Sequence, residues 1–166
     1  MDFPQRKRTR LKGYDYSQQG VYFITVCTKN RVCSLCKVCV GDGVLDVPQI
    51  QLTRWGQAVE TRIREINKIY SHIRIDKYVV MPNHIHMLVF LSEHNGTSRT
   101  PSPTNASLPQ LVSTFKRMVN RSCETNIFQR SFHDHIIRNN EDYLRIWNYI
   151  DTNPATWEKD CFYIDN

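Results

Sequence analysis

The 166 residues support one compact domain with its own core and exclude a second catalytic domain, since domains run to roughly 100 to 200 residues. Lys and Arg number 22 against 16 Asp and Glu, a formal charge of +6, which favours an anionic partner: nucleic acid or an acidic membrane surface. No apolar run approaches the roughly 20 residues of a spanning helix, and the basic N-terminus lacks the apolar segment of a signal peptide, so the sequence predicts a soluble cytoplasmic chain. In a reducing cytosol its six cysteines would be thiols or metal ligands rather than disulfides.

The first dozen residues carry Arg6, Lys7, Arg8, Arg10 and Lys12 with almost nothing apolar to bury, so residues 1–13 are expected to form a basic arm, either solvated or in contact with phosphates. From Val21 to Thr28 the β-branched and aromatic residues predict a buried strand. An extended stretch from Val32 to Val40, a turn at Gly41-Asp42-Gly43 and a return through Val44 to Val47 predict a hairpin. Thr53 can cap a helix whose apolar side is Trp55, Val59, Ile63, Ile66 and Tyr70, spaced by threes and fours. Two strand-like runs follow, His72 to Met81 and His84 to Leu91, broken at Pro82-Asn83.

The Ser-, Thr-, Pro- and Asn-rich stretch 92–107 predicts a mobile loop inside the domain. Ser107-Leu108-Pro109-Gln110 has the form of a capping box before a helix that places Leu108, Leu111, Val112, Phe115, Met118 and Val119 on one face. Lys116, Arg117 and Arg121 face elsewhere. After an extended run, Phe132 to Arg138, Asn140 is expected to cap a last helix ending at Asn153-Pro154. With the hairpin set aside, the order is β-α-β-β-α-β plus a helix. That order predicts an α+β, ferredoxin-like, four-stranded antiparallel sheet with an inserted hairpin and an extra C-terminal helix.

His84-Ile85-His86 is the sharpest chemical feature, because a strand points residues i and i+2 to one side, about 6.6 Å apart along the backbone, close enough to share an ion. Burying two imidazoles there without partners would cost a few kcal/mol. His133-Asp134-His135 has the same spacing, and His133 reads as a surface residue. On the last helix, about 100° per residue puts Trp147, Ile150 and Ile146 around Tyr143 in an apolar stripe. Tyr149 and Asn153 lie one turn apart on the flank of that stripe, a phenol and an amide that can address one point. Read singly, Tyr149 is better taken as a boundary tyrosine with a wet hydroxyl and Asn153 as a helix-ending residue before Pro154.

The stretches Tyr22-Phe23-Ile24-Thr25, Tyr78-Val79-Val80-Met81-Pro82-Asn83-His84-Ile85-His86, Phe132-His133-Asp134-His135-Ile136-Ile137-Arg138, Tyr149-Ile150 and Asn153-Pro154, taken in this order, resemble the REP-associated tyrosine transposases. These are a branch of the single-tyrosine HUH transposases, and the resemblance runs from about Arg10 to Tyr163. It implies one ferredoxin-like domain, His84 and His86 as ligands of a divalent metal, Tyr149 on the last helix as nucleophile and Asn153 as third ligand. It also implies a basic N-terminal stretch that touches DNA, with His135 and Arg138 structural or DNA-positioning.

The residues suit that chemistry. A phenol with a pKa near 10 needs help as a nucleophile, and Mg²⁺ or Mn²⁺ held by His84, His86 and Asn153 would polarise a phosphate oxygen and align it for in-line attack by Tyr149. The product would be a 5′-phosphotyrosine link with a free 3′ hydroxyl, and the reverse attack would rejoin strands without a nucleotide cofactor. The expected substrate is single-stranded or hairpin DNA, with Lys116, Arg117, Arg121 and Arg138 as candidates for tracking its backbone. A monomer or homodimer associated with the nucleoid is expected.

Cys33-x-x-Cys36-x-x-Cys39 departs from that family. A structural zinc site wants four ligands, so chance thiols in a hairpin are the preferred reading. Three rival functions are weighed. RNA-recognition modules of the same fold carry an aromatic motif that is absent here. A former transposase kept for DNA binding alone would retain the same residues. A zinc hydrolase would want an H-E-x-x-H pattern.

Overall fold

A computed structural model describes residues 11, 13–39, 48–92 and 106–164. Its main sheet consists of β1 (Gly20–Cys27), β4 (Ile73–Val80), β5 (His84–Leu91) and β6 (His133–Ile137), in the order β4-β5-β1-β6, with every neighbour antiparallel. That order, with α1 (Arg54–Ile69) crossing from β1 to β4 and α2 (Leu108–Ser122) from β5 to β6, is the ferredoxin-like arrangement. α3 (Asn140–Thr152) and a 3₁₀ segment, Asn153–Lys159, complete the chain order. The basic-arm residues Arg6, Lys7, Arg8, Arg10 and Lys12, the turn Gly41-Asp42-Gly43 and most of the 92–107 loop lie outside the described residues.

Strand alternation divides the core in two. Tyr22, Ile24 and Val26 of β1 and Ile85, Met87, Val89 and Leu91 of β5 face α1 and α2, where they meet Val59, Ile63, Ile66, Leu111, Phe115 and Val119. The opposite face carries Val79, Met81 and Leu88, covered by Ile146 and Ile150 of α3. α3 therefore lies across the sheet from the other two helices, on the side where the His84 and His86 rings meet Trp157 and Tyr149. At about 25 cal/mol per Å² of apolar surface buried, both layers contribute to holding the helices on the sheet.

In the hairpin, β2 (Cys36–Cys39) pairs with β3 (Gln49–Leu52) in the register Cys36↔Leu52; Val44 to Val47, the expected return, lie outside the described residues. Gln49-Ile50-Gln51-Leu52 alternates exposed and half-buried residues, the pattern of a strand with one wet face, and runs straight into the α1 cap. Thr53 caps α1 by accepting from the Gly56 N–H, while its hydroxyl lies 2.7 Å from Ser34 O and 2.9 Å from Leu35 O. A Cβ on Gly56 would sit 2.1 Å from Leu35 O, so only glycine lets helix and hairpin approach this closely. The cap of α3 is Asn139, which accepts from the Asp142 N–H; the expected Asn140 is the first helical residue. The capping box of Ser107 and Gln110 forms as read.

Candidate active site

β5 brings His84 and His86 to the α3 side of the sheet, opposite Cys27 and Thr25 of β1. Both are closed to solvent, at 0% and 1% exposure. Asn83 fixes the first ring: its Nδ2 donates to Phe162 O at 2.8 Å, which turns its Oδ1 to His84 Nδ1 at 2.9 Å. An amide oxygen only accepts, so His84 carries its proton on Nδ1 and offers a lone pair at Nε2. That Nε2 lies 2.9 Å from His86 Nε2, while His86 Nδ1 contacts Thr25 Oγ1 at 2.9 Å. Desolvation pushes His84 down to about 4 despite the nearby Asp160 charge, and desolvation followed by His84 holds His86 well below the ordinary imidazole range. Two neutral imidazoles thus aim nitrogens at one point, as metal ligands must.

Tyr149, on α3, meets this pair from the other side, and Asn153, one turn on at the start of the 3₁₀ extension, joins it through Asp160. The Tyr149 hydroxyl lies 3.3 Å from His86 Nε2 and donates to Asp160 Oδ2 at 3.1 Å. Asn153 Nδ2 donates to the same carboxylate oxygen at 2.7 Å, which orients the amide; its Oδ1 is buried without a hydrogen-bond partner among the described residues. Burial and then the Asp160 charge raise the Tyr149 phenol well above its ordinary value. Tyr143 is directed elsewhere, its hydroxyl donating to Asp76 Oδ2 at 2.7 Å and its ring edge-on to Phe90.

Asp160 is the residue sequence reasoning missed. His84, His86 and Asp160 place one ligand atom each within 4.8 Å of one another, the one such cluster among the described residues. Nothing in the sequence marks Asp160, because it lies past the helix in an irregular segment with no period to read. Phe162 was missed for the same reason. Its ring packs 4.6 Å from His84 and 6.3 Å from His133, beneath the Arg31 guanidinium at 5.4 Å. Its N–H donates to Asp160 Oδ1 at 2.7 Å.

The expected DNA-tracking residues divide. The Lys116 ammonium is occupied by the carbonyls of Gln129, Arg130 and Ser131 at 2.8, 3.3 and 2.8 Å, so it ties α2 to the loop before β6 instead of standing free. Arg117 and Arg121 are exposed on α2, across the sheet from the histidines, and Arg138 is exposed just past β6. His135 pairs with Asp142 at 2.7 Å, joining β6 to α3. Of the hairpin thiols, Cys36 is buried and donates to Val80 O at 3.2 Å, and none belongs to a metal-holding cluster among the described residues. Desolvation raises Cys36 to about 12, which keeps it a thiol. No described helix is long and apolar enough to cross a membrane.

A His-x-His strand thus faces a tyrosine-bearing helix on a ferredoxin-like sheet. No protein-family model matches the chain. An uncharacterized Haemophilus influenzae protein is 35% identical, with 96% of this chain and 94% of that protein aligned. A candidate REP-associated tyrosine transposase of the same organism is 23% identical over 85% of this chain and 73% of its own length. The structure of a REP-associated tyrosine transposase bound to a REP hairpin superposes with a TM-score of 0.61 at 23% identity, covering 89% of this chain and 73% of that one. The chain belongs to the family of the first of these proteins, and in sequence and fold it is similar to the REP-associated tyrosine transposases.

Proposed function

We propose that this protein cleaves and rejoins single-stranded DNA, with Tyr149 as the nucleophile and a divalent cation, Mg²⁺ or Mn²⁺, as the cofactor. The observation that carries the reading is the convergence of the Tyr149 hydroxyl on His86 Nε2 at 3.3 Å, with His84 Nε2 a further 2.9 Å away. The donor set suits such a cation: two neutral imidazoles and the orphaned amide oxygen of Asn153, with the Asp160 carboxylate's charge close by. His84, His86 and Asn153 would hold it, and Asp160 orients Asn153. When bound, the cation supplies Lewis-acid polarisation of a non-bridging phosphate oxygen.

The chain's own residues do the rest. Tyr149 Oη attacks phosphorus, an Oη–P bond forms, the P–O3′ bond breaks and the leaving 3′ oxygen takes up a proton. Because burial and Asp160 keep the phenol protonated at neutral pH, its proton must leave as the bond forms. Asp160, which already accepts that hydrogen, is placed to receive it. α3 holds the tyrosine rigidly through Ile146 and Ile150, so orientation is provided before DNA arrives. The phosphotyrosine retains the ester, which lets a 3′ hydroxyl reverse the step. A palindromic hairpin is the proposed substrate form, supported by the hairpin held by the structural relative and by the net charge of +6. Arg6, Lys7, Arg8, Arg10, Lys12, Arg117, Arg121 and Arg138 are the proposed backbone contacts.

The test is direct. Labelled single-stranded DNA bearing the palindrome that flanks the gene, incubated with Mn²⁺, should yield an adduct that survives denaturing electrophoresis. Tyr149→Phe should abolish the adduct and leave binding intact. Binding without any adduct from the parent protein would instead make this a DNA-binding module derived from a transposase.

A further inference from the structure

A second concave surface adjoins the histidines. A cleft of about 680 Å³ opens between β2 and the 3₁₀ segment, with Trp157, Tyr163, Lys37, Lys159, Pro82 and Glu158 among its walls. That volume lies within the roughly 300–1,000 Å³ typical of small-molecule sites. Trp157 belongs to both places, because its ring is 5.9 Å from that of His84 and 5.3 Å, edge-on, from that of Tyr163. Pro82 ties cleft and site together as well. Its carbonyl accepts from Leu35 N–H at 3.0 Å, anchoring the hairpin, and the Met81 N–H beside it donates to His84 O at 2.9 Å. Lys37 and Lys159 are exposed and neither pairs with a carboxylate among the described residues, where Glu158 is the one acid in the cleft's wall.

Half-buried aromatic rings beside unpaired ammonium groups are what an unpaired nucleotide requires: a face to stack on and cations for its phosphate. We propose that this cleft binds a nucleotide of the single strand next to the scissile phosphate, with its base on Trp157 or Tyr163 and its phosphate between Lys37 and Lys159. The inference rests on the reading of the histidine site as acting on single-stranded DNA, and it adds a binding role for the inserted hairpin, which the catalytic residues do not use. The strand would leave the histidines past Trp157 and enter the cleft directly, since one indole forms the border of both.

Binding can be read without cleavage. In a Tyr149→Phe background without divalent metal, a fluorescein-labelled oligothymidylate is titrated by anisotropy at several salt concentrations. Trp157→Ala should weaken binding about tenfold, the effect of losing one stacked base at about 1–3 kcal/mol. Because Trp157 also packs on the α3 side of the core, the paired variant Lys37→Ala/Lys159→Ala provides an independent reading on exposed residues. It should lower the slope of log Kd against log salt by about 0.7, the value of the one phosphate contact that the two lysines share on a single strand. An unchanged slope and affinity in the lysine pair overturns the proposal, whether or not Trp157→Ala folds. If the parent forms its covalent adduct while the cleft variants bind normally, the cleft fails and the catalytic reading stands. If no adduct forms but the cleft variants lose binding, the cleft stands and the catalytic reading fails.

Discussion

The Tyr149 hydroxyl lies 3.3 Å from Nε2 of His86, although 63 residues separate the two in the chain. One stands on a helix packed against the open face of the sheet and the other on a central strand beneath it, so the contact exists only because Ile146 and Ile150 seat that helix on Leu88 and Val79. Asp160 then receives both Tyr149 and Asn153 on a single oxygen, which makes it the hub of the site.

Tyr143 is the control for the nucleophile. Its hydroxyl is spent on Asp76, and desolvation together with that carboxylate raises it to about 12. Tyr143→Phe should leave adduct yield unchanged on a denaturing gel while lowering unfolding free energy by about 0.5–1.5 kcal/mol, the usual net value of one hydrogen bond. Loss of the adduct in this variant would move the chemistry away from Tyr149.

Removing the charge at the hub should weaken the metal. Asp160→Asn keeps the size of the side chain but frees the orientation of Asn153, and groups that orient ligands are typically worth about 10- to 100-fold in metal affinity. Titration calorimetry with Mn²⁺ should show a loss of that order, with Asn153→Ala losing at least as much. Parent-like affinity in both would leave the two histidines without a third ligand.

Stability in the absence of metal should fall with acid in a defined window. His84 is held neutral in the fold, down to about 4, against 6.5 when exposed, so below 6.5 the unfolded chain binds a proton that the folded chain refuses. The contribution is complete above 6.5 and declines as pH falls toward 4, at about 1.4 kcal/mol per unit. Urea denaturation in EDTA should therefore lose about 2 kcal/mol from His84 alone between pH 7 and pH 5, with His86 adding in the same direction. His84→Gln should reduce that slope to the part that His86 contributes.

Gly56 should resist substitution although it sits in a helix. Alanine would gain about 1 kcal/mol of helix propensity, but its Cβ would overlap the Leu35 carbonyl, where overpacking costs about 3 kcal/mol. A net loss of about 2 kcal/mol predicts a Tm lower by about 4–8 °C in a domain of this size. A calorimetric scan with an unchanged Tm would mean that hairpin and helix can part freely.

Much of this molecule could be read along the chain. The period-two run from His84 to Leu91 and the threes and fours of Val59, Ile63, Ile66 and of Leu111, Phe115, Val119 each determine a face, because a strand or helix repeats its geometry at fixed intervals. The His84–His86 pair and the neighbouring placement of Tyr149 and Asn153 follow from the same arithmetic. The hairpin return at Gln49–Leu52 was harder to read, since four residues of weak alternation compete with a more β-branched stretch just before them. Local residue types alone also could not distinguish Asn139 from Asn140 as the cap, because both are asparagine and only the hydrogen bond to Asp142 N decides.

What only the tertiary structure decided is which of these faces meet. Lys116 looked like any surface cation until the loop carbonyls of Gln129 to Ser131 closed around it, and Asp160 and Phe162 had no pattern at all until the chain after α3 doubled back over the histidines. Local sequence determined the secondary elements and the side chains each presents, since those depend on neighbours a few residues apart. The site formed where β5, α3 and the segment that follows them pack together, and no interval along the chain records a contact between elements that far apart.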